Sequence, residues 1–188
     1  NIENALKITG WMDPHDLEWL AKQASTHHRI VELGCWRGRS TTVLADNTPG
    51  VVYAVDHWKG SEEHVNLDLS DLLKRFGDNW SEVIRPEQIV RAIQKTSFDG
   101  LAMLAVAEQQ FDFIYIDGSH QAQDVLTDAC MAFPLLKKDG VMVFDDYLWG
   151  KELGVLHNPK IAVDAFTTIF AEQCHIVGIG YQMAVQKI

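Results

Sequence analysis

The sequence predicts an α/β protein built on a doubly wound, mostly parallel sheet with an antiparallel hairpin at one C-terminal edge. Three observations carry this reading. Short apolar runs alternate with stretches of helical periodicity from Arg29 to Phe144. Several runs end in a turn glycine or an acid, at Leu33-Gly34, Asp56, Asp117 and Asp145-Asp146. The last two runs, Cys174–Ile179 and Tyr181–Val185, are separated by Gly180 alone, a link suited to an antiparallel return.

In chain order, Asp13-Pro14 supplies an N-cap and first helical residue, and Leu17, Leu20, Ala21 and Ala24 form the apolar stripe behind it. Arg29–Leu33 reads as a buried strand, followed by the turn GCWRGRS and a helix through Ala45. Val51–Val55 is a second strand ending at Asp56, and Ile89–Ile93 a weaker third. Phe111–Ile116 and Val141–Phe144 are the fourth and fifth. Between them Ala122, Val125, Leu126, Ala129 and Phe133 recur at helical spacing, and Lys138-Asp139-Gly140 turns the chain back into the sheet. Asn158-Pro159 caps a helix whose Ile161, Ala162, Ala165, Phe166, Ile169 and Phe170 face the core. The long connection from Gly60 to Gln88 carries one helix stripe, Leu69, Leu72, Leu73 and Phe76, which suits a packed helix, an acceptor lid or the contact of a homo-oligomer.

At 188 residues the chain fits a single domain, 1–188, with a core large enough to fold without staples. It begins at Asn1 without methionine, as a trimmed or processed product does. A net charge of −10, with no run of Lys or Arg longer than two, argues against a nucleic-acid partner. No apolar run has the length of a membrane span and no signal peptide is visible, so no membrane partner is expected. Three cysteines without CxxC spacing point to a reducing, cytoplasmic setting rather than a disulfide framework or structural zinc.

Two constellations carry chemistry. In open α/β sheets ligands bind beyond the carboxyl ends of the strands. There, Glu32-Leu33-Gly34 with Gly38 makes a glycine turn between strand and helix, and free N–H groups near Ser40 and Thr41 can hold a carboxylate. Asp56, 24 residues beyond Glu32, stands where an acid takes ribose hydroxyls. The turn is GxxxG rather than GxGxxG, and Glu32 would repel a pyrophosphate, so a ligand bearing an amine suits it better than a dinucleotide. A glycine turn that serves only packing is the alternative. The second constellation is Asp117, Asp145 and Asp146 with His120. In the strand order usual for Rossmann-like sheets, 3-2-1-4-5, the fourth and fifth strands are neighbours about 4.8 Å apart. Their terminal acids then converge, and an all-oxygen set of that kind suits Mg²⁺, Mn²⁺ or Ca²⁺.

The segments IVELGCWRGRST, VYAVDHW, FDFIYIDGSH and GVMVFDDYLW fall in the order and at the intervals of class I S-adenosylmethionine-dependent methyltransferases. Over residues 28–188 the chain resembles the group containing the macrocin and mycinamicin sugar O-methyltransferases and a cephalosporin-biosynthesis relative, with IDGSH and FDDY the group-specific parts. The resemblance implies that Glu32, Gly34, Gly38 and Ser40 hold the methionine portion, Asp56 the ribose, and His57, Trp58 and Ser97 the adenine side. It implies Mg²⁺ on Asp117, Asp145 and Asp146, Asp145 standing where several members have glutamate. His120 becomes the general base for a small-molecule hydroxyl, on a sugar or a diol. A metal-independent O- or N-methyltransferase using Asp117 and His120 alone stays open, as does a non-catalytic S-adenosylmethionine-binding module.

Overall fold

The computed structural model describes residues 1–61, 64, 66–83, 85–150 and 152–188. Strands β1 (Arg29–Leu33), β2 (Val51–Asp56), β3 (Ile89–Gln94), β4 (Phe111–Ile116) and β5 (Leu136–Phe144) pair in parallel. Strands β6 (Cys174–Ile179) and β7 (Met183–Lys187) are antiparallel to each other, and β7 to β5. The sheet order is β3-β2-β1-β4-β5-β7-β6. Helices α1 (Glu3–Leu6), α2 (Pro14–Ala24), α3 (Arg39–Asn47), α4 (Leu72–Val83), α5 (Ser97–Val106), α6 (Ala122–Ala132) and α7 (Lys160–Ile169) complete the elements that matter here. None of the described helices is long and apolar enough to cross a membrane.

Side chains alternate across a strand, so the central strands divide their residues between two cores. Ile30, Val52, Phe113 and Tyr115 pack with Leu17, Leu20, Val43 and Leu44 of α2 and α3 on one face. Val31, Leu33, Val55, Ile114 and Ile116 pack with residues of α5, α6 and α7 on the other. Asp13 caps α2 as expected, its carboxylate accepting from Asp16 N at 3.0 Å, an interaction of about 1 kcal/mol.

Several boundaries differ from the sequence reading. The stretch before β4, to which the sequence reading assigns no element, holds α5, capped by Thr96. Gly100 hides this helix from propensity arguments, and packing explains it: a Cβ there would lie 2.4 Å from Val55 Cγ1. Lys138-Asp139-Gly140 is not a turn before the fifth strand. β5 already starts at Leu136, and these residues form an irregularity where the register jumps from Phe111–Leu136 to Phe113–Val141, with Asp139 at φ 63°. In α7, Pro159 rather than Asn158 is the N-cap, and Val163 turns inward while Ile161 and Ile169 are exposed. The last strand is Met183–Lys187 rather than Tyr181–Val185. Along residues 60–88, α4 buries Leu72 and Phe76 against Cys35, Ala54 and Trp58, while Leu73 is exposed. Residues 62, 63, 65 and 84 of that segment lie outside the described residues.

Candidate active site

The carboxyl ends of the parallel strands open into a cleft of about 1540 Å³. Gly34, Ser40, Asp56, His57, Ser97, Asp117, His120, Asp145 and Asp146 line it. Among the expected ligand contacts, Glu32, Gly38 and Trp58 do not, and each departure has a local cause.

At the glycine turn, Asp56 is the organising group. Its Oδ2 accepts from Cys35 N and Trp36 N, both at 2.9 Å, and its Oδ1 from Trp58 N at 2.6 Å. The carboxylate therefore ties the turn to the end of β2 while still facing the cleft. Gly34, at φ 87°, is required by the neighbouring strand rather than by a ligand: a Cβ would lie 2.0 Å from the Asp117 carbonyl oxygen. Gly38, at φ 89°, backs onto the Phe76 ring, 3.1 Å from where a Cβ would sit. Trp58 is core: it packs on Phe76 at 5.0 Å and donates Nε1–H to Trp36 O at 3.0 Å. Its indole is spent on holding the turn.

Glu32 is fully buried behind the cleft wall. Thr41 Oγ1 donates to its Oε2 at 2.5 Å, Cys35 Sγ lies 3.9 Å from its backbone carbonyl, and Oε1 has no hydrogen-bond partner among the described residues. Burial, partly offset by hydrogen bonding, raises its pKa to about 7. Burial above all, then Glu32 and Asp56, pushes the Cys35 thiol well up, which removes it as a nucleophile. Ser97 opens α5 at the cleft and hydrogen-bonds to Asp128, a 3 % exposed carboxyl raised to about 6 by burial. His57 is part-exposed, its Nδ1 accepting from Lys59 N at 2.9 Å.

At the other end, ligand-capable oxygens of Asp117, Asp145 and Asp146 all lie within 4.8 Å of one another. Burial raises the Asp117 pKa well above the carboxylate range, and the charges of Asp145 and Asp146 add to it. Burial, then the Asp146 charge, raises Asp145 to about 6 against the hydrogen bonds it accepts. His120 Nε2 lies 2.8 Å from Asp146 Oδ2, and its ring lies against Trp149, centroids 4.0 Å apart. A carboxylate accepts only, so this contact places the proton on Nε2. An all-oxygen set of three crowded, half-buried carboxylates fits a hard divalent cation.

Sequence reasoning gave no role to Tyr115, which lies within FDFIYIDGSH, or to Tyr181 and Gln182 near the C-terminus, and all three hold the acids. Tyr115 donates to Asp145 Oδ2 at 2.6 Å, Gln182 Nε2 to Asp145 Oδ1 at 3.0 Å, and Tyr181 to Asp146 Oδ1 at 2.6 Å. The signal was available in the antiparallel pairing of the last strand. At the mouth, Trp36 packs against His64 at 4.1 Å and Trp11 at 5.4 Å, an aromatic wall assembled from three separate segments.

A family profile for the methyltransferase domain matches residues 31–147, the stretch running from the first strand through both acidic motifs. The chain belongs to the methyltransferase-domain family. O-methyltransferase hkm8 of Aspergillus hancockii is 27% identical over 135 residues, which cover 71% of this chain and 49% of that protein. The chain thus spans about half the length of that curated relative. Among solved structures, the O-methyltransferase of Bacillus cereus in complex with S-adenosylhomocysteine superposes with a TM-score of 0.66 at 20% identity, covering 97% of this chain and 86% of that one. The O-methyltransferase TomG of Streptomyces achromogenes, involved in tomaymycin synthesis and solved with S-adenosylmethionine, gives 0.71 at 15% identity, covering 95% and 81%. This methyltransferase domain shares its fold with these two O-methyltransferases.

Proposed function

We propose that this methyltransferase domain moves the methyl group of S-adenosylmethionine to a hydroxyl of a small molecule, assisted by a divalent cation. The observation that carries the reading is one cleft with a glycine turn braced on Asp56 at one end and three converging carboxylates beside His120 at the other. S-adenosylmethionine supplies a methyl group already activated as a sulfonium. A divalent cation, Mg²⁺ by the chemistry of the donor set, supplies Lewis acidity that makes the acceptor hydroxyl easier to deprotonate.

The chain's own residues do the rest. Asp56, His57, Ser97, Gly34 and Ser40 face the cofactor end of the cleft, with Glu32 acting through Thr41 rather than by contact. Asp117, Asp145 and Asp146 would hold the cation. As the acceptor oxygen takes the methyl group its proton must leave, and His120 is the group placed to receive it. Asp146, at 2.8 Å from Nε2, orients the ring and favours the positive charge it gains. Trp149 packs against the ring, centroids 4.0 Å apart. A sugar or diol hydroxyl, as in the macrocin and mycinamicin group, is the acceptor class that IDGSH and FDDY support.

One observation favours a second reading. Both oxygens of Asp146 already accept hydrogen bonds, from His120 and Tyr181, so the His120–Asp146 pair can work without a cation. Methyl transfer from S-adenosylmethionine to a panel of sugar and diol acceptors, run with Mg²⁺ and with EDTA, separates the two. Turnover lost in EDTA and restored by Mg²⁺ supports the cation; equal turnover in both supports the metal-independent pair.

A further inference from the structure

The antiparallel end of the sheet reaches into the acidic centre. β7 pairs with β5 from Val141–Gln186 to Phe144–Met183. Carried one and two places further, that register sets Gln182 opposite Asp145 and Tyr181 opposite Asp146. The side chains follow it. Gln182 Nε2 donates to Asp145 Oδ1 at 3.0 Å, and the Tyr181 hydroxyl to Asp146 Oδ1 at 2.6 Å. Gln182 Nε2 also donates at 3.2 Å to the Tyr115 hydroxyl, which donates to Asp145 Oδ2 at 2.6 Å. Tyr115 is fully buried in β4, so this hydroxyl has a fixed position.

The choice of donors matters as much as their placement. Two adjacent carboxylates repel, and free rotamers would swing them apart. A lysine or arginine in this turn would hold them but cancel their charge. A glutamine and a tyrosine orient them and leave the charge in place. Each carboxylate oxygen carries two lone pairs. Asp145 Oδ1 spends both, on Gln182 Nε2 and on Asp146 N at 2.9 Å, whereas Asp145 Oδ2 and both oxygens of Asp146 accept one hydrogen bond each and keep a lone pair for a cation. Asp146 also sits at φ 55°, a backbone state that a non-glycine residue keeps only when its surroundings impose it.

We propose that Tyr181 and Gln182, in the β6–β7 turn, are positioning residues that hold Asp145 and Asp146 in the rotamers that converge with Asp117 on a divalent cation. The inference rests on the cation reading given under the proposed function. Partners of this kind typically change metal affinity 10–100-fold when removed.

The test is a calorimetric titration of Mn²⁺ into the wild-type chain, Gln182→Leu and Tyr181→Phe. Each is also titrated with S-adenosylhomocysteine in EDTA and melted in EDTA. The expected result is Mn²⁺ binding by the wild type, weakened roughly 10–100-fold in Gln182→Leu and severalfold in Tyr181→Phe. S-adenosylhomocysteine affinity and melting temperature in EDTA stay near wild type, which a merely structural loss would not allow. Equal Mn²⁺ affinity in all three proteins overturns the positioning role and leaves the cation reading standing. No Mn²⁺ binding by the wild type overturns both. Should Gln182→Leu fail to fold, Tyr181→Phe decides, because it removes one oxygen from a residue that is 45% exposed.

Discussion

The two ends of the cleft solve opposite problems. At the glycine turn, the acid is satisfied by local backbone: Asp56 accepts from three N–H groups, two from the turn and one two residues downstream. At the acidic end, the acids are held by side chains reaching in from β4 and the β6–β7 turn, and the crowding of charge remains. The first is a pre-formed cradle whose geometry is set within a short stretch of chain. The second is an arrangement that stays electrostatically costly until a counter-charge arrives. One end needs no partner to keep its shape, and the other is built to want one.

Breaking the acidic end should cost catalysis and spare the cradle. Asp146→Ala removes both a proposed cation ligand and the partner of His120, so kcat should fall by about 10³-fold or more. Affinity for S-adenosylhomocysteine, measured by calorimetry, should stay within about threefold of wild type. Breaking the cradle should do the reverse. Asp56→Ala leaves three backbone donors without their acceptor, at about 1–3 kcal/mol each if they stay buried, and should lower both the melting temperature and cofactor affinity. Gly34→Ala forces a methyl group against the Asp117 carbonyl at a positive φ and should destabilise by about 3 kcal/mol in thermal unfolding.

The acidic end should also announce itself through pH. Asp145 is raised to about 6, so its ionisation weakens the folded state as pH climbs from about 4 through 6, and Asp117, raised well above its usual value, adds a loss of the same sign as pH rises. A divalent cation held by the ionised acids, as proposed, would reverse that loss. Added Mn²⁺ should therefore raise the melting temperature more at pH 8 than at pH 5. A smaller effect of the same sign belongs to Asp128 on the cofactor side. Its pKa is raised from 3.8 to about 6, so its contribution to stability is greatest below pH 4 and declines up to pH 6. Asp128→Asn should be near neutral at pH 4 and stabilising at pH 8, by at most about 3 kcal/mol on the linkage relation.

Much of this contrast was legible in the sequence because it sits at strand ends. Apolar runs bounded by acid fix where Asp56, Asp117, Asp145 and Asp146 must emerge, and the parallel order brings them together. What escaped depended on packing between distant segments. Trp58 stands two residues after Asp56 and reads as a cleft aromatic, yet the neighbouring Phe76 draws it into the core. Glu32 occupies the motif position for ligand contact, but α3 supplies the Thr41 hydroxyl that binds it behind the wall. Gly34 looks like a residue that makes room for a ligand and in fact makes room for the backbone of the adjacent strand. Tyr181 and Gln182 read as strand residues, and only the pairing register reveals that they lie opposite the acids.

The central claim is that one end of this cleft binds the methyltransferase cofactor without help from a cation. The most direct test is a calorimetric titration of S-adenosylhomocysteine into the purified chain, once with Mg²⁺ and once with EDTA. The account predicts micromolar binding in both, with similar affinity. A folded chain that binds in neither condition would contradict it at the root.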